Sequence, residues 1–427
     1  MKVILAVVNI AFLVWVFYSL WKNEKLPLRN YFWPALLLKL FAGICLGLVY
    51  TYYYSVGDTF VYLADGKILA QLGRTDFASY LSFLWSGDDN FSVWNELTYQ
   101  QPRAQFLAKI TSIFCLLTDD NYWIISCYFS GITFYSAWLL VKRIITLHPP
   151  AEVAAVGSFL FFPSVVFWTS GIIKESIAMA GLFFLSTIFL KAWQRDTIRL
   201  LEWIVALLSL WIVWNLKYYY LAIFLPVVLT TLASKLITQK MKMQSLLFKV
   251  AVWFAIFIVP LLVISTVHPN FYPSRFMEVV VTSNQEFQSI SDMEDLIVYN
   301  ELEASAISIL KNIPWALFSG LFRPLLTEVH NPLQFFIALE NTMLLVLFLF
   351  GLKSINQLIS SKQRMLLFSI IMYTLLLCTF LALSTPNFGT LSRYRVGFLP
   401  FLVFLLTLEN PWINKLMTSN PIRNLVR

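Results

Sequence analysis

Long apolar stretches without a charged residue recur along the chain, and they constrain its fold more than any other feature. Residues 3–21 and 122–141 contain no Asp, Glu, Lys or Arg. Hydrophobic residues make up 59% of the 427 positions and charged residues only 13%, whereas a soluble domain has about 25% charged residues. A helix that crosses a bilayer needs about 20 apolar residues. The sequence therefore predicts an all-α polytopic membrane protein, and it excludes a soluble enzyme or a disordered chain.

Windows of that length predict about eleven transmembrane helices in a single integral membrane domain, residues 1–427. The predicted spans are residues 2–21, 31–54, 122–141, 151–170, 175–193, 200–216, 218–236, 246–266, 332–352, 365–384 and 392–412. The first is interpreted as a span because it is long and lacks the small-residue cleavage site of a signal peptide. In the second, Gly43 and Gly47 have the spacing of a close contact between helices.

Lysine and arginine concentrate in alternate loops, and this sets the predicted orientation. One side carries eighteen basic and five acidic residues, while the other carries twelve basic and eighteen acidic residues. The positive-inside rule then puts the N-terminus outside and the C-terminus in the cytoplasm. The net charge of +8 is thus interpreted as a topology signal next to membrane lipids, and no nucleic-acid partner is expected.

Two long loops on the predicted outer side interrupt the rhythm of short connections. They cover residues 55–121 and 267–331. The first contains the apolar run Ala104–Leu117, which is too short to span comfortably and is predicted to be an interfacial or re-entrant helix. The second is acidic in its middle, and its end, Ile307–Leu326, is predicted to lie on the membrane surface. Because long loops are often functional, the outer ends of the spans are where we expect a site.

Asp58, in Gly57-Asp58-Thr59, is the predicted catalytic residue. Gly57 permits a turn where the second span leaves the membrane, and a carboxylate at the water–lipid boundary can act as a general base or bind a divalent metal ion. The alternative interpretation is a turn or helix-terminal aspartate. The chain has no Walker loop, no GxGxxG, no GxSxG and no HExxH sequence, so chemistry driven by ATP or NAD is not expected.

Five basic residues lie on the predicted outer side, near one membrane plane and against the positive-inside tendency. They are Lys174, Lys217, Arg323, Arg393 and Arg395. A lipid-linked phosphate would lie at the same depth, and Arg and Lys are well suited to bind it. These five residues are therefore predicted to form a donor-phosphate site, with Glu175, Glu328 and Glu340 as supporting acids. The alternative is that the charges form structural pairs with one another, because a charge inside a membrane needs a partner.

These sequence features resemble the GT-C superfamily of polyprenyl-phosphate-dependent membrane glycosyltransferases. Asp58 matches the acidic catalytic residue that this family carries in its first large outer loop. The surface helices that follow in the family are similar to Ala104–Leu117 before the span Tyr122–Val141, and Arg393-Tyr394-Arg395 before Leu399-Pro400 is similar to an Arg-Tyr…Leu-Pro pattern in related transferases. The resemblance implies an inverting glycosyltransferase of the bacterial inner (cytoplasmic) membrane, with a polyprenyl-phosphate sugar donor and a glycan, lipid or protein acceptor.

Two other functions stay open on the sequence. An O-antigen or exopolysaccharide polymerase or ligase, which uses lipid-pyrophosphate glycans, shares the multispan architecture and the outer arginines. A polysaccharide flippase or transporter is the second alternative, although such proteins often show internal repeats and polar sites near the middle of the membrane. The sequence shows no internal repeat, and its unusual charges cluster at predicted span ends.

Overall fold

Helices account for most of the residues that the computed structural model describes, which are 2–54, 57–87, 92–243, 245–267, 272–354 and 363–418. The chain divides into two compact units, Met1–Leu221 and Ala222–Arg427. The first unit contains α1 (Lys2–Lys22), α2 (Arg29–Tyr52), α3 (Asp58–Thr75), α4 (Phe77–Ser86), α5 (Pro102–Thr118), α6 (Tyr122–Leu147), α7 (Glu152–Val156), α8 (Pro163–Trp168), α9 (Lys174–Gln194) and the first part of α10 (Leu200–Lys240). The second contains the rest of α10, α11 (Leu246–Val267), α12 (Pro273–Ile290), α13 (Ala306–Phe322), α14 (Pro332–Gly351), α15 (Arg364–Ser384), α16 (Phe388–Tyr394), α17 (Leu399–Thr407) and α18 (Pro411–Thr418).

Seven helices within the described residues are long and apolar enough to cross a membrane. They are α1, α2, α6, α9, α10, α14 and α15. An eighth candidate is the pair formed by Phe388–Gly397 and α17, whose two parts are bent by 71°. These helices confirm the prediction of an all-α multi-pass membrane protein, while the total of eleven spans stays a prediction.

The predicted span 151–170 is not one continuous helix. It consists of α7, a π-helical turn at Gly157–Phe161 and α8. The break before α8 falls at Phe162, whose backbone is extended (φ −65°, ψ 122°). Pro163 explains this break, because a proline lacks an N–H donor and disfavours helical geometry in the residue before it.

The predicted spans 200–216 and 218–236 are merged in α10, which has one internal break. Lys217 has φ −144° and ψ 63°, far from helical values, in the middle of this 41-residue element. At 1.5 Å per residue, α10 would be about 60 Å long without the break, twice the apolar thickness of a bilayer. The break at Lys217 therefore lies where the sequence predicts a turn between two spans.

The predicted glycine contact brings α2 against α6. A Cβ atom on Gly43 would lie 2.8 Å from the hydroxyl oxygens of Ser126 and Ser130, and one on Gly47 would lie 2.8 Å from the Tyr122 ring. The missing side chains let the two helices approach closely, as small residues do in membrane proteins. This packing confirms the contact predicted from the spacing of the two glycines.

The described part of the first long loop contains three α-helices, α3, α4 and α5. The predicted run Ala104–Leu117 is helical within α5, which packs along α3, so that Gly66 of α3 lies against Thr111 of α5. The short helix α4 begins with an Asp76 side chain that accepts a hydrogen bond from the Ser79 amide. Tyr80 and Phe83 of α4 are buried in a core shared with α3 and α5.

The second long loop is fixed to helices of the second unit. The Ile297 amide donates to the Pro386 carbonyl at 2.7 Å, and the Tyr299 hydroxyl donates to the Ala382 carbonyl at 2.7 Å. Trp315, on α13, donates its indole N–H to the Val298 carbonyl at 3.1 Å. The acidic middle of this loop thus follows a path set by hydrogen bonds to α13 and to the end of α15.

Candidate functional site

Asp58 is the first residue of α3, so the predicted catalytic residue is also a helix-terminal aspartate. A carboxylate at this position is stabilised by the helix dipole. Gly57 before it is extended (φ −118°, ψ 125°), a conformation that any residue adopts. A Cβ atom there would lie 2.4 Å from the Tyr50 ring. The glycine is therefore required by close packing and not, as the sequence suggested, by the turn itself.

The Asp58 carboxylate accepts a hydrogen bond from a tyrosine of the same loop. The Tyr99 hydroxyl donates to Oδ1 of Asp58 at 2.8 Å. The two residues are 41 positions apart, and the packing of α5 along α3 brings them together. Sequence reasoning missed Tyr99, because a single tyrosine in an aromatic-rich chain carries no signal of its partner.

A second aspartate of α3 holds the backbone next to Tyr99. Asp65 is fully buried, and its two carboxylate oxygens accept the backbone N–H groups of Thr98 at 2.8 Å and of Tyr99 at 3.0 Å. Both oxygens are therefore engaged with backbone N–H groups, whereas Asp58 is half-buried at the start of its helix. Of these two carboxylates, Asp58 is the one with access for a reacting group.

Aromatic rings connect Asp58 to one of the predicted cations. The Tyr62 ring lies 5.3 Å from the Tyr99 ring, and Nζ of Lys174 lies 5.5 Å from the centre of the Tyr62 ring. This is within the range of a cation–π interaction. The structure thus joins Asp58 and Lys174, two predicted site residues, through Tyr99 and Tyr62; we call these four residues the Asp58 cluster.

The turn that carries Lys174 is tightly fixed between α8 and α9. Gly171 has a positive φ of 69°, which favours glycine, and its N–H donates to the Ser130 hydroxyl at 3.0 Å. Lys39, predicted to lie inside a span, is buried in α2 and donates to the Val166 carbonyl at 3.3 Å and to the Thr169 hydroxyl. The start of α9 therefore has a rigid support, as a preorganised site requires.

Lys217 and Glu175 form a buried ion pair at the break in α10. Nζ of Lys217 lies 2.6 Å from Oε1 of Glu175, and the two side chains are 5% and 0% exposed. The structural-pair interpretation of these charges therefore has a direct geometric basis. Lys217 also lies 5.7 Å from the centre of the Tyr219 ring, so it is enclosed on two sides.

Arg323, in the second unit, is engaged by a carboxylate and two aromatic rings. Its guanidinium forks onto Glu328 through Nε and Nη2, with Nε 2.9 Å from Oε1, and Nη1 donates to the Ser319 hydroxyl at 3.0 Å. The guanidinium carbon lies 4.5 Å from the Trp315 ring centre and 5.0 Å from that of Phe388. Burial raises the pKa of Glu328, but the Arg323 hydrogen bonds and the Leu325 amide lower it more, so that the net pKa is below its usual value.

Arg395 is buried, while Arg393 is only half-buried. Arg395 is 1% exposed, and its Nη1 donates to the Asn341 side-chain oxygen at 2.6 Å. Asn341 in turn donates to the Pro324 carbonyl at 3.0 Å, and Glu340 lies close enough to interact electrostatically with Arg395. Of the two predicted supporting acids in this unit, Glu340 thus interacts with Arg395, and Glu328 is engaged by Arg323.

The sequence allowed a divalent metal ion at Asp58, but the described part of the chain contains no group of side chains that could bind one together with Asp58. No cluster of three or more His, Cys, Asp or Glu residues is arranged to hold a metal ion there. The neighbouring carboxylate of Asp65 is already engaged by backbone N–H groups. The described residues around Asp58 therefore do not fit a metal site built from protein ligands.

The predicted site residues fall into two groups along the chain. Asp58, Lys174, Glu175 and Lys217 belong to the first unit, and Arg323, Glu328, Glu340, Arg393 and Arg395 belong to the second. Comparison of the chain with protein-family models, with curated proteins and with solved structures gave no match.

Proposed function

We propose that this protein is a membrane glycosyltransferase. It transfers a sugar from a polyprenyl-phosphate-linked donor to a glycan, lipid or protein acceptor, on the extracytoplasmic face of the bacterial inner membrane. The proposal includes eleven spans, a GT-C-like arrangement, an outer N-terminus and a cytoplasmic C-terminus. It places Asp58 and the five basic residues on the side where a lipid phosphate meets water.

The Asp58 cluster is the observation that carries this proposal. A half-buried carboxylate receives a 2.8 Å hydrogen bond from Tyr99, and a lysine lies against the ring of the neighbouring Tyr62. A base and a cation at neighbouring positions, on helices that join membrane spans, are the two groups that transfer from a phosphate-activated donor requires.

In the proposed reaction, Asp58 takes the proton of the acceptor hydroxyl. The acceptor oxygen attacks the anomeric carbon of the donor sugar, and the bond between that carbon and the phosphate oxygen breaks. Its electron pair stays with the polyprenyl phosphate, which leaves as an anion, and the attack from the opposite side inverts the anomeric centre. Lys174 stabilises the developing negative charge, because a fixed cation in a poorly hydrated site acts more strongly than in water.

The remaining predicted donor-phosphate residues take different roles in this proposal. In the second unit, Arg393 is the arginine proposed to fork onto a lipid phosphate, and Arg395 holds Asn341 through a buried hydrogen bond. Lys217 and Arg323 are each engaged by a carboxylate, Glu175 and Glu328. Each of these two cations is therefore the positive side of an ion pair.

The replacement of Asp58 tests the proposal directly. In cells that depend on this chain, Asp58→Asn is expected to reduce the transferred sugar about 10²–10⁴-fold, as the loss of a general base does. Mass spectrometry of lipid-linked and envelope glycans, from cells with the wild-type chain, with the variant and without the chain, measures the product. Asp76→Asn is the matched control, because Asp76 is exposed and asparagine caps a helix as well as aspartate does.

The same spectra separate the alternatives. A polymerase or ligase would change the length or the attachment of a preformed glycan, without the addition of a single sugar. Loss of a flippase would leave the composition of each lipid-linked glycan unchanged and would lower only the amount of the envelope glycan made from it. A normal product level in Asp58→Asn cells that contain normal amounts of the variant would contradict the assignment of Asp58 as the base.

A further inference from the structure

We infer that Asp65 and Tyr99 are a positioning pair that holds the Asp58 carboxylate in place and in its ionised form. The inference deepens the proposed function, because it concerns the group assigned there as the base. The contacts that support it are independent of which sugar or acceptor is used. Neither residue needs to touch the substrate.

Asp65 is placed where a carboxylate is costly. It is 0% exposed, and the burial of a charge is unfavourable unless hydrogen bonds compensate for it. The compensation comes from the backbone N–H groups of two consecutive residues, Thr98 and Tyr99, one for each carboxylate oxygen. A carboxylate that engages both oxygens in this way fixes the direction of the backbone between them, and therefore the position from which the Tyr99 side chain leaves.

Tyr99 transmits that position to Asp58. Its ring is held at 5.3 Å from the buried Tyr62 ring, so the hydroxyl has little freedom to move. The hydroxyl donates to Oδ1 of Asp58 at 2.8 Å. A hydrogen bond to the charged form of a carboxyl group stabilises that form, and a base must be ionised before it can accept a proton.

Other titratable groups also lie near this end of α3. Tyr50 of α2 packs against Gly57, and Tyr122 of α6 shares a 3.0 Å hydrogen bond with the Thr59 hydroxyl. Lys174 of α9 lies against Tyr62. A cation acts on a nearby carboxylate in the same direction as a hydrogen-bond donor does, so the contribution of Tyr99 has to be measured with Lys174 in place.

The test measures the protonated fraction of Asp58 without a sugar donor. Dicyclohexylcarbodiimide is a lipid-soluble reagent that modifies protonated carboxyl groups, and mass spectrometry of the peptide that contains Asp58 gives the extent of modification. The purified full-length chain, in lipid nanodiscs at neutral pH, is compared with Tyr99→Phe. The variant lacks one oxygen atom, and a hydrogen bond to a charged group is strong enough to raise the modification of Asp58 about tenfold.

Two further variants make the result specific. Tyr80→Phe removes another buried hydroxyl of the same unit, which bonds to Ser112 at 2.9 Å, and it is expected to leave the modification of Asp58 unchanged. Asp65→Asn is expected to raise the modification of Asp58 as Tyr99→Phe does. The variant that carries both substitutions is expected to show no more modification than Tyr99→Phe alone, because Asp65 acts through Tyr99. Equal modification of Asp58 in the wild-type chain and in folded Tyr99→Phe would overturn the inference.

A kinetic comparison distinguishes this inference from the proposed function. In the transfer assay, Tyr99→Phe is expected to lower kcat and to leave the KM for the donor unchanged, because the hydroxyl acts on the base. If Asp58→Asn keeps full transfer while Tyr99→Phe still raises the modification of Asp58, the positioning pair exists and the proposed function of Asp58 is wrong. If Tyr99→Phe lowers transfer without a change in modification, the positioning pair is wrong.

Discussion

Charged side chains in the interior of this protein are held by specific partners, and the Lys217–Glu175 pair is the most enclosed of those described. Two charges at 2.6 Å with almost no exposure gain strong mutual attraction but have both lost their hydration. The loss of one partner leaves the other as an uncompensated buried charge. The replacement of both side chains leaves no uncompensated buried charge. A comparison of the single variants with the double variant therefore tests whether the two charges stabilise each other.

We expect Lys217→Met to destabilise the protein by about 3–5 kcal/mol, as the breaking of a buried ion pair does. Glu175→Leu is expected to cost a similar amount, and the double variant is expected to be more stable than either single variant. Titration with a denaturing detergent, followed by circular dichroism, measures the three free energies of unfolding. Additive losses in the double variant would show that the two side chains do not depend on each other.

Arg393 and Arg395 are separated by one residue but differ in exposure, so the proposed function gives them different outcomes. Arg393→Lys is expected to weaken the binding of polyprenyl phosphate about 10–150-fold, because a lysine cannot fork onto two phosphate oxygens. Arg395→Lys is expected to lower stability instead, because the buried bond to Asn341 is altered. Native mass spectrometry in nanodiscs measures the binding. Unchanged binding in both folded variants would assign these cations to structure or to acceptor recognition.

At the level of single residues, the sequence predicts which side chains are unusual but not what they contact. Asp58, Lys174 and Glu175 stand out because they are charged residues at span ends on the predicted outer side, where a functional site is expected. Tyr99 does not stand out, and its contact with Asp58 arises only when α5 packs along α3. The pairing of Lys217 with Glu175 also depends on tertiary packing, since 42 positions separate the two residues in the sequence.

At the level of helices, apolar composition predicts the long elements well and their interruptions poorly. The bounds of α1, α2, α9, α14 and α15 agree with the predicted spans to within about two residues. Hydropathy measures composition over a window and is insensitive to backbone geometry. It therefore predicts one span over residues 151–170, where the structure has α7, a π-helical turn and α8. Pro163 was the available signal for that break. The break at Lys217 has no proline at that position, and it coincides with the buried ion pair.

The short helix α4 leads to a prediction about the membrane surface. Its inner face is buried, but Phe77, Leu81 and Trp85 are spaced by four residues and are 59%, 50% and 94% exposed. An apolar stripe with a tryptophan is typical of a helix at the lipid interface. We expect a fluorescent label at Trp85→Cys to be quenched by lipids with a spin label near the headgroup, and a label at Ser86→Cys, on the polar side, to be quenched less.

That experiment needs a background in which the four native cysteines, all free in the structure, are replaced by alanine. Equal quenching at the two positions, or none at either, would show that α4 does not lie with its stripe in the lipid. The polar side of α4, with Ser79, Ser82 and Ser86, would then lie no farther from the lipid than the apolar stripe of Phe77, Leu81 and Trp85. Such a result would leave the core between α4 and α5 unaffected, because that core uses the opposite face.

At the level of the whole molecule, the proposed function depends on which side of the membrane each long loop occupies. The predicted orientation follows from the distribution of lysine and arginine, and it puts residues 55–121 and 267–331 outside. In the same cysteine-free background, Glu96→Cys and Asp292→Cys introduce exposed thiols in these loops, and Lys240→Cys introduces one at the end of α10. A membrane-impermeant maleimide is expected to label the first two in intact cells, and Lys240→Cys only after permeabilisation. Because Asp58 and Lys174 can meet a lipid-linked donor on the outer face only if the first loop lies there, labelling of Glu96→Cys solely in permeabilised cells would contradict the orientation and the proposed extracytoplasmic reaction together.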